Sequence, residues 1–269
     1  MTSPYDSYKK LAFERPSPHV LEVVLLGDGR GNAVGHELHG EMARIWNDID
    51  ADRDVNAVVL RGRDDAFGAG GHVDLVEELG RDFQLMVESW KEARGIVYNI
   101  INCSKPIVAA IRGPAAGAAL AAALSSDITI ASKTARINDA HVKLGMCAGD
   151  HAVINWPLLC GMAKAKLHLL LNDTLSGEEA ERIGLVSMCV EDEQCYDKAR
   201  EIAARLAAGA QTAIRWTKYS LNNWLRLNGP SFVASLAYAS LTFMGPDIAE
   251  GIAAIREKRK PNFNAGSPL

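Results

Sequence analysis

Three titratable residues in one short segment could do chemistry: His141, then Asp150 and His151 nine and ten positions on. A histidine with an ordinary pKa near ~6.5 can take or give a proton at neutral pH. A carboxylate paired with it fixes its tautomer and raises its basicity, which suits activating a water molecule. Plainer roles exist for each. His141 could be a satisfied polar residue at a sheet edge. Asp150, between Gly149 and the apolar Ala152-Val153-Ile154, could cap a helix. His151 would point off the opposite side of its turn.

A second kind of chemistry is offered by backbone alone. From Ile107 to Asp127 an apolar run leads into Gly113-Pro114 and then a helix built almost wholly of Ala, Gly and Leu. Its first-turn N–H groups carry the positive end of the helix dipole and lack intrahelical acceptors. Upstream, the strand-like Ala57-Val58-Val59-Leu60 is followed by Ala66-Phe67-Gly68-Ala69-Gly70-Gly71. Two Gly/Ala turns, each after a buried strand, could hold one carbonyl oxygen between two N–H donors, as an oxyanion hole does. Small residues serve close strand–helix packing equally well.

Other functional classes are excluded. His36 and His39 are three apart rather than four, with no third ligand near, so this pair reads as a solvated helix face and no metal site is expected. Gly113-x-x-x-Gly117 is not a dinucleotide fingerprint, and there is no GxSxG elbow. The five cysteines (Cys103, Cys147, Cys160, Cys189, Cys195) form no CxxC pair and read as reduced thiols of a cytoplasmic protein. A net charge of -4 gives no footprint for nucleic acid. No apolar run approaches the ~18 residues of a membrane span, and the N-terminus lacks the apolar core of a signal peptide.

These groups need elements to position them. Strands are predicted over 19–26, 54–61, the apolar run from Ile107 up to Gly113, 127–131 and 135–138, and helices over 34–50 and, as one long amphipathic element, 73–101. Beyond Asp192 the pattern is helical only: 196–208, 211–225, 232–244 and 246–258, punctuated by Gly209, Gly229-Pro230 and Gly245-Pro246. The alternation of strand and helix predicts an α/β fold with parallel pairing. A boundary is expected near Gln194, giving a core of 1–194 and a helical segment of 195–269.

Four segments in order carry a family resemblance over nearly the whole chain. They are Ala66-Phe67-Gly68-Ala69-Gly70-Gly71; Lys105-Pro106 through Arg112-Gly113; Leu175 to Ala180 with Ile183-Gly184-Leu185-Val186; and Glu257-Lys258-Arg259-Lys260-Pro261-Asn262-Phe263. Together they resemble the crotonase (enoyl-CoA hydratase/isomerase) superfamily. The resemblance implies a ββα spiral with a C-terminal helical trimerisation or lid segment, and a homotrimer or dimer of trimers. It implies the Gly71 and Ala118 N–H groups as oxyanion donors and a coenzyme A thioester as substrate, with no separate cofactor. For the coenzyme it points to Arg30, to Lys258 among the basic tail residues, and to Phe263. The helical wall from Val73 to Ile101 and the C-terminal helices would shape the pocket with Phe83, Met86, Trp90, Trp224 and Phe232; His72 and His151 are further pocket candidates.

The two glutamates of the hydratase branch are missing: Ala121 and His141 stand in their places. The spacing of His141 and Asp150, followed by Trp156-Pro157 and Gly161, is instead similar to the 6-oxocamphor hydrolase branch, which opens cyclic β-diketones. The expected activity is therefore hydrolytic C–C cleavage of a cyclic β-keto acyl-CoA or β-diketone, with His141 deprotonating water and Asp150 orienting it. Enoyl-CoA hydration or isomerisation is the alternative, and a catalytically silent acyl-CoA-binding subunit is a third.

Overall fold

The computed structural model describes residues 4–29, 31–263 and 266. Its strands are β1 (Leu11–Ser17), β2 (Val20–Leu25), β3 (Ala57–Gly62), β4 (Gly68–Ala69), β5 (Ile107–Ile111), β6 (Pro114–Ala116), β7 (Ile128–Ser132), β8 (Arg136–Ile137) and β9 (Met188–Val190). The helices are α1 (His36–Ala51), α2 (Val73–Leu79), α3 (Phe83–Asn102), α4 (Gly117–Ser125), α5 (Ala152–Leu171), α6 (Gly177–Arg182), α7 (Cys195–Ala207), α8 (Gln211–Leu221), α9 (Asn223–Leu227), α10 (Gly229–Thr242) and α11 (Pro246–Arg256). No single helix among the described residues is long and apolar enough to cross a membrane.

The strands fall into a six-stranded sheet, β1-β2-β3-β5-β7-β9, and a three-stranded sheet, β4-β6-β8. Apart from the β1–β2 hairpin, every strand pair is parallel. Three successive units each give one strand to the large sheet, the next strand to the small sheet, and then helix: β3-β4-α2/α3, β5-β6-α4 and β7-β8-α5. This is the predicted ββα spiral.

The apolar strands are continuous because both faces of the large sheet are covered. Leu21, Val23, Val58, Leu60, Ile107 and Ala109 face the core under α1, α3 and α4. Their alternate neighbours Val20, Ala57, Val59, Val108 and Ala110 pack against Cys195, Ala199 and Ala203 of α7. Each fully buried aliphatic side chain contributes about 1.5–3 kcal/mol. On the α7 face of β2, the fully buried Glu22 accepts from Arg61 Nε at 2.5 Å and from Arg200 at 2.6 and 2.8 Å.

Two elements differ from the sequence expectation. The long helix over 73–101 is broken into α2 and α3 at Gly80–Asp82. The Asp82 carboxylate caps the new start by accepting from Leu85 N at 3.1 Å, and a side chain at Gly80 would sit 2.8 Å from the Phe243 carbonyl. The helix over 211–225 is likewise divided at Asn222, whose Nδ2 donates to the Ile101 carbonyl at 2.8 Å. Strands β1, β4, β6 and β9 and helix α6 have no counterpart in the expectation, and α5 is foreshadowed only by the possible cap at Asp150.

Candidate active site

Parallel register between the two short strands sets the backbone part of the site. Gly68 pairs with Ala115 and Ala69 with Ala116. The chain then runs Gly70-Gly71 beside Gly117-Ala118. A Cβ on Gly117 would lie 3.3 Å from Gly70 Cα and 3.7 Å from the Gly71 nitrogen. Gly70 and Gly117 both adopt positive φ (+102° and +53°), which explains glycine at these turns. Val34 takes up the groups on either side of Gly71: its N–H donates to Gly70 O at 2.8 Å and its carbonyl accepts from His72 N at 3.0 Å. The Gly71 N–H itself donates to no backbone carbonyl among the described residues. Ala118, second residue of α4, carries one of the first-turn N–H groups that have no helical acceptor.

A cavity of about 580 Å³ opens onto these turns, and Asp139, His141 and Asp150 share its wall with Gly71 and Ala118. Residues 71, 118, 141 and 150 are thus brought together. Met86 and Trp90 of α3 and Leu236 and Phe243 near α10 supply apolar wall. Trp90 and Met86 therefore stand where the sequence placed them. Phe83 and Trp224 are 81% and 64% exposed, and Phe232 is fully buried against Tyr98 in an edge-to-face contact at 5.3 Å; none of these three lines the cavity.

His141 sits between two carboxylates. Its Nδ1 lies 3.0 Å from Asp139 Oδ1 and its Nε2 lies 3.5 Å from Asp150 Oδ2. The other Asp150 oxygen accepts from His151 Nδ1 at 2.6 Å. Burial alone would disfavour charge on His141, but the Asp150 and Asp139 carboxylates outweigh it and lift its pKa to about 10. Asp150 moves the other way. Burial would raise its pKa, yet the His141 and His151 rings hold the carboxyl well below the usual carboxylate range. The two carboxylates thus make the ring a stronger base than a free imidazole.

Asp150 does not cap α5, whose N-cap is His151 with no side-chain cap bond. His151 is fully buried, off the cavity wall, and its Nε2 has no partner among the described residues. Its contact with the site is through Asp150. Asp139, Asp150 and His151 could each place one ligand atom within 4.8 Å of the others. The His141 ring contacts two of these three groups, Asp139 and Asp150.

The remaining candidates lie elsewhere. His72 is half exposed, 3.6 Å from Asp74, and not on the cavity wall, because it ends the turn as α2 begins. Lys258 and Phe263 are exposed on the tail after α11 and do not reach the cavity. Arg259 does reach it, with its guanidinium held by Glu250 and Glu257. Arg30 lies outside the described residues.

Two site residues were missed. Asp139 is 2% exposed and fixes His141 Nδ1; its place two residues before His141 was the available signal. His39, set aside with His36 as a solvated face, is 8% exposed and lines the cavity, with Nδ1 2.7 Å from Glu92 Oε2. Its spacing with Met42, Trp46 and Ile49 on the buried stripe of α1 could have revealed it.

The profile of the enoyl-CoA hydratase/isomerase family matches residues 19–266. A short-chain-enoyl-CoA hydratase of Clostridium acetobutylicum is 30% identical over 236 residues, which cover 85% of this chain and 88% of that protein. Among solved structures, an enoyl-CoA hydratase/isomerase from Mycobacterium paratuberculosis superposes with a TM-score of 0.87 at 29% identity, covering 93% of this chain and 99% of the other. A β-diketone hydrolase from the cyanobacterium Anabaena, bound to (S)-3-oxocyclohexyl acetic acid, superposes with a TM-score of 0.81 at 25% identity, covering 91% and 98%.

Proposed function

The chain belongs to the enoyl-CoA hydratase/isomerase family, and on that premise we propose that it uses water to cleave a C–C bond in a cyclic β-keto acyl-CoA or β-diketone. One observation carries this reading. Where the resemblance puts a hydratase glutamate there is an Asp139–His141–Asp150 array, and it shares a cavity with the Gly71 and Ala118 backbone. Ala121, at the other glutamate position, is 2% exposed in the core and off the cavity wall. The similarity to a β-diketone hydrolase supports the same reading.

In this mechanism the carbonyl that becomes the enolate lies between the Gly71 and Ala118 N–H groups. Each donor is worth about 3–4 kcal/mol as negative charge develops. His141, made more basic by the carboxylates beside both of its nitrogens, accepts a proton from water, with Asp150 orienting the ring. Hydroxide adds to the ring ketone, the C–C bond breaks, and its electron pair passes into the enolate. Protonation of the enolate carbon completes the products. Turnover thus places OH on the acyl carbon and H on the α-carbon. Lys258 and Phe263 remain proposed contacts for coenzyme A.

We further propose a homotrimer or dimer of trimers located in the cytoplasm. Leu158, Leu159, Met162 and Leu170 of α5 are between 40% and 68% exposed, which fits an apolar face covered by another copy. The second reading, hydration of an enoyl-CoA, is favoured by the name of the Clostridium relative.

The test is turnover in 18O-labelled water with crotonyl-CoA in one incubation and a cyclic β-ketoacyl-CoA in another. Ring opening with label in the new carboxylate is the expected result. Label appearing only as a β-hydroxyl on crotonyl-CoA would transfer the function to hydration.

A further inference from the structure

Enolate formation leaves a carbon to be protonated, and the His141 array is occupied with water. A second imidazole–carboxylate pair lines the same cavity. His39 of α1 is 8% exposed, with Nδ1 2.7 Å from Glu92 Oε2 of α3. With Nδ1 committed to Glu92, Nε2 is the ring atom free to face the cavity. The neighbouring position is glycine for a reason: a Cβ at Gly40 would come within 2.8 Å of Glu92 Oε1, so the absent side chain leaves room to seat the carboxylate. A charge on His39 also helps keep Asp150 ionised, which places the two pairs within electrostatic reach of each other.

The geometry points to His39 as the catalytic acid that delivers a proton from Nε2 to the α-carbon of the enolate, with Glu92 as its positioning residue. This deepens the C–C hydrolase reading and rests on it for its place in the sequence of steps. In the imidazolium form, Nδ1–H is donated to Glu92 and Nε2–H is the transferable proton. Transfer forms the C–H bond, collapses the enolate to the carbonyl, and leaves neutral His39 still hydrogen-bonded to Glu92. The proton that water gave to the His141 array passes to solvent, and His39 regains one from solvent, so each turnover consumes one water. Two separate pairs make chemical sense here, since one must accept from water while the other donates to carbon.

The test isolates the carbon step with cyclohexanecarboxyl-CoA, which has no ketone to cleave, in D2O. Exchange of its α-hydrogen is read by NMR. Wild-type protein should exchange it, and His39→Gln should slow exchange by at least ~100-fold. Binding of the thioester should hold. Glu92→Gln should give a smaller fall together with a displaced pH profile for exchange, which a merely structural role would not produce. Should His39→Gln fail to fold, Glu92→Gln decides. Wild-type exchange and profile in Glu92→Gln, unchanged exchange in folded His39→Gln, or no exchange by wild-type protein would each overturn the assignment. Exchange that depends on His39 without any ring opening in labelled water would sink the hydrolase reading and leave this one standing.

Discussion

His141 Nε2 lies 3.5 Å from Asp150 Oδ2, while the other oxygen of the same carboxylate is held by His151 at 2.6 Å. The two contacts are unequal. The short one, to a fully buried ring, fixes the carboxylate; the longer one joins two residues that line the cavity.

Removing either side of that contact should stop chemistry and spare binding. Asp150→Asn takes away the carboxylate that orients and activates His141 and is expected to lower kcat by about 10²–10⁴-fold, the usual contribution to proton transfer. His141→Ala should fall in the same range, because it removes the proton acceptor. Steady-state kinetics with a separate measurement of acyl-CoA binding checks this. A loss of less than about tenfold in Asp150→Asn would remove Asp150 from the mechanism.

Stability should depend on pH through the same pair. Folded His141 has its pKa lifted from 6.5 to about 10, so its stabilising contribution is complete below about pH 6.5. It disappears as pH rises toward 10. Asp150 is depressed from its ordinary 3.8, so its contribution is present above that value and lost as pH falls below it. Wild-type protein should therefore lose Tm between pH 6.5 and 10 more steeply than His141→Gln does. Parallel Tm curves over that range would contradict the raised pKa of His141.

Gly117→Ala tests the backbone donors without touching a titratable group. An alanine at φ +53° costs about 1–2 kcal/mol, and its methyl would press on Gly70 Cα at 3.3 Å. Displacing Gly70-Gly71 misaligns one donor, and loss of a donor costs about 10²–10³ in kcat. A fall in kcat beyond about tenfold with a modest drop in Tm is expected. Full activity would show that this turn takes no part.

Glu22→Gln addresses the fold rather than the chemistry. It leaves Arg61 and Arg200 without their shared carboxylate, and breaking a buried pair typically costs about 3–5 kcal/mol. Urea unfolding should show the midpoint falling with activity per folded molecule unchanged. A change below about 1 kcal/mol would mean that water replaces the carboxylate.

Local pattern carried most of the fold. Val58-Val59-Leu60 and Ile107 to Ile111 are apolar at every position because each face of the sheet meets a helix, and such runs can be read directly from sequence. The Gly/Ala turns at 68–71 and 113–118 were legible for a similar reason, since their composition allows little but close backbone approach. His141 and Asp150, nine residues apart, could be paired from spacing and resemblance. Tertiary structure decided what those residues do. The charge on His141 depends on its burial and on both carboxylates at once, and neither effect has a sequence period. His39 meets Glu92 across 53 positions, and Arg200 meets Glu22 across 178, so only the packing of α1 on α3 and of α7 on β2 could bring them together. The break at Gly80–Asp82 belongs to the same class, because it is set by Phe243 from a distant helix end as well as by the local cap.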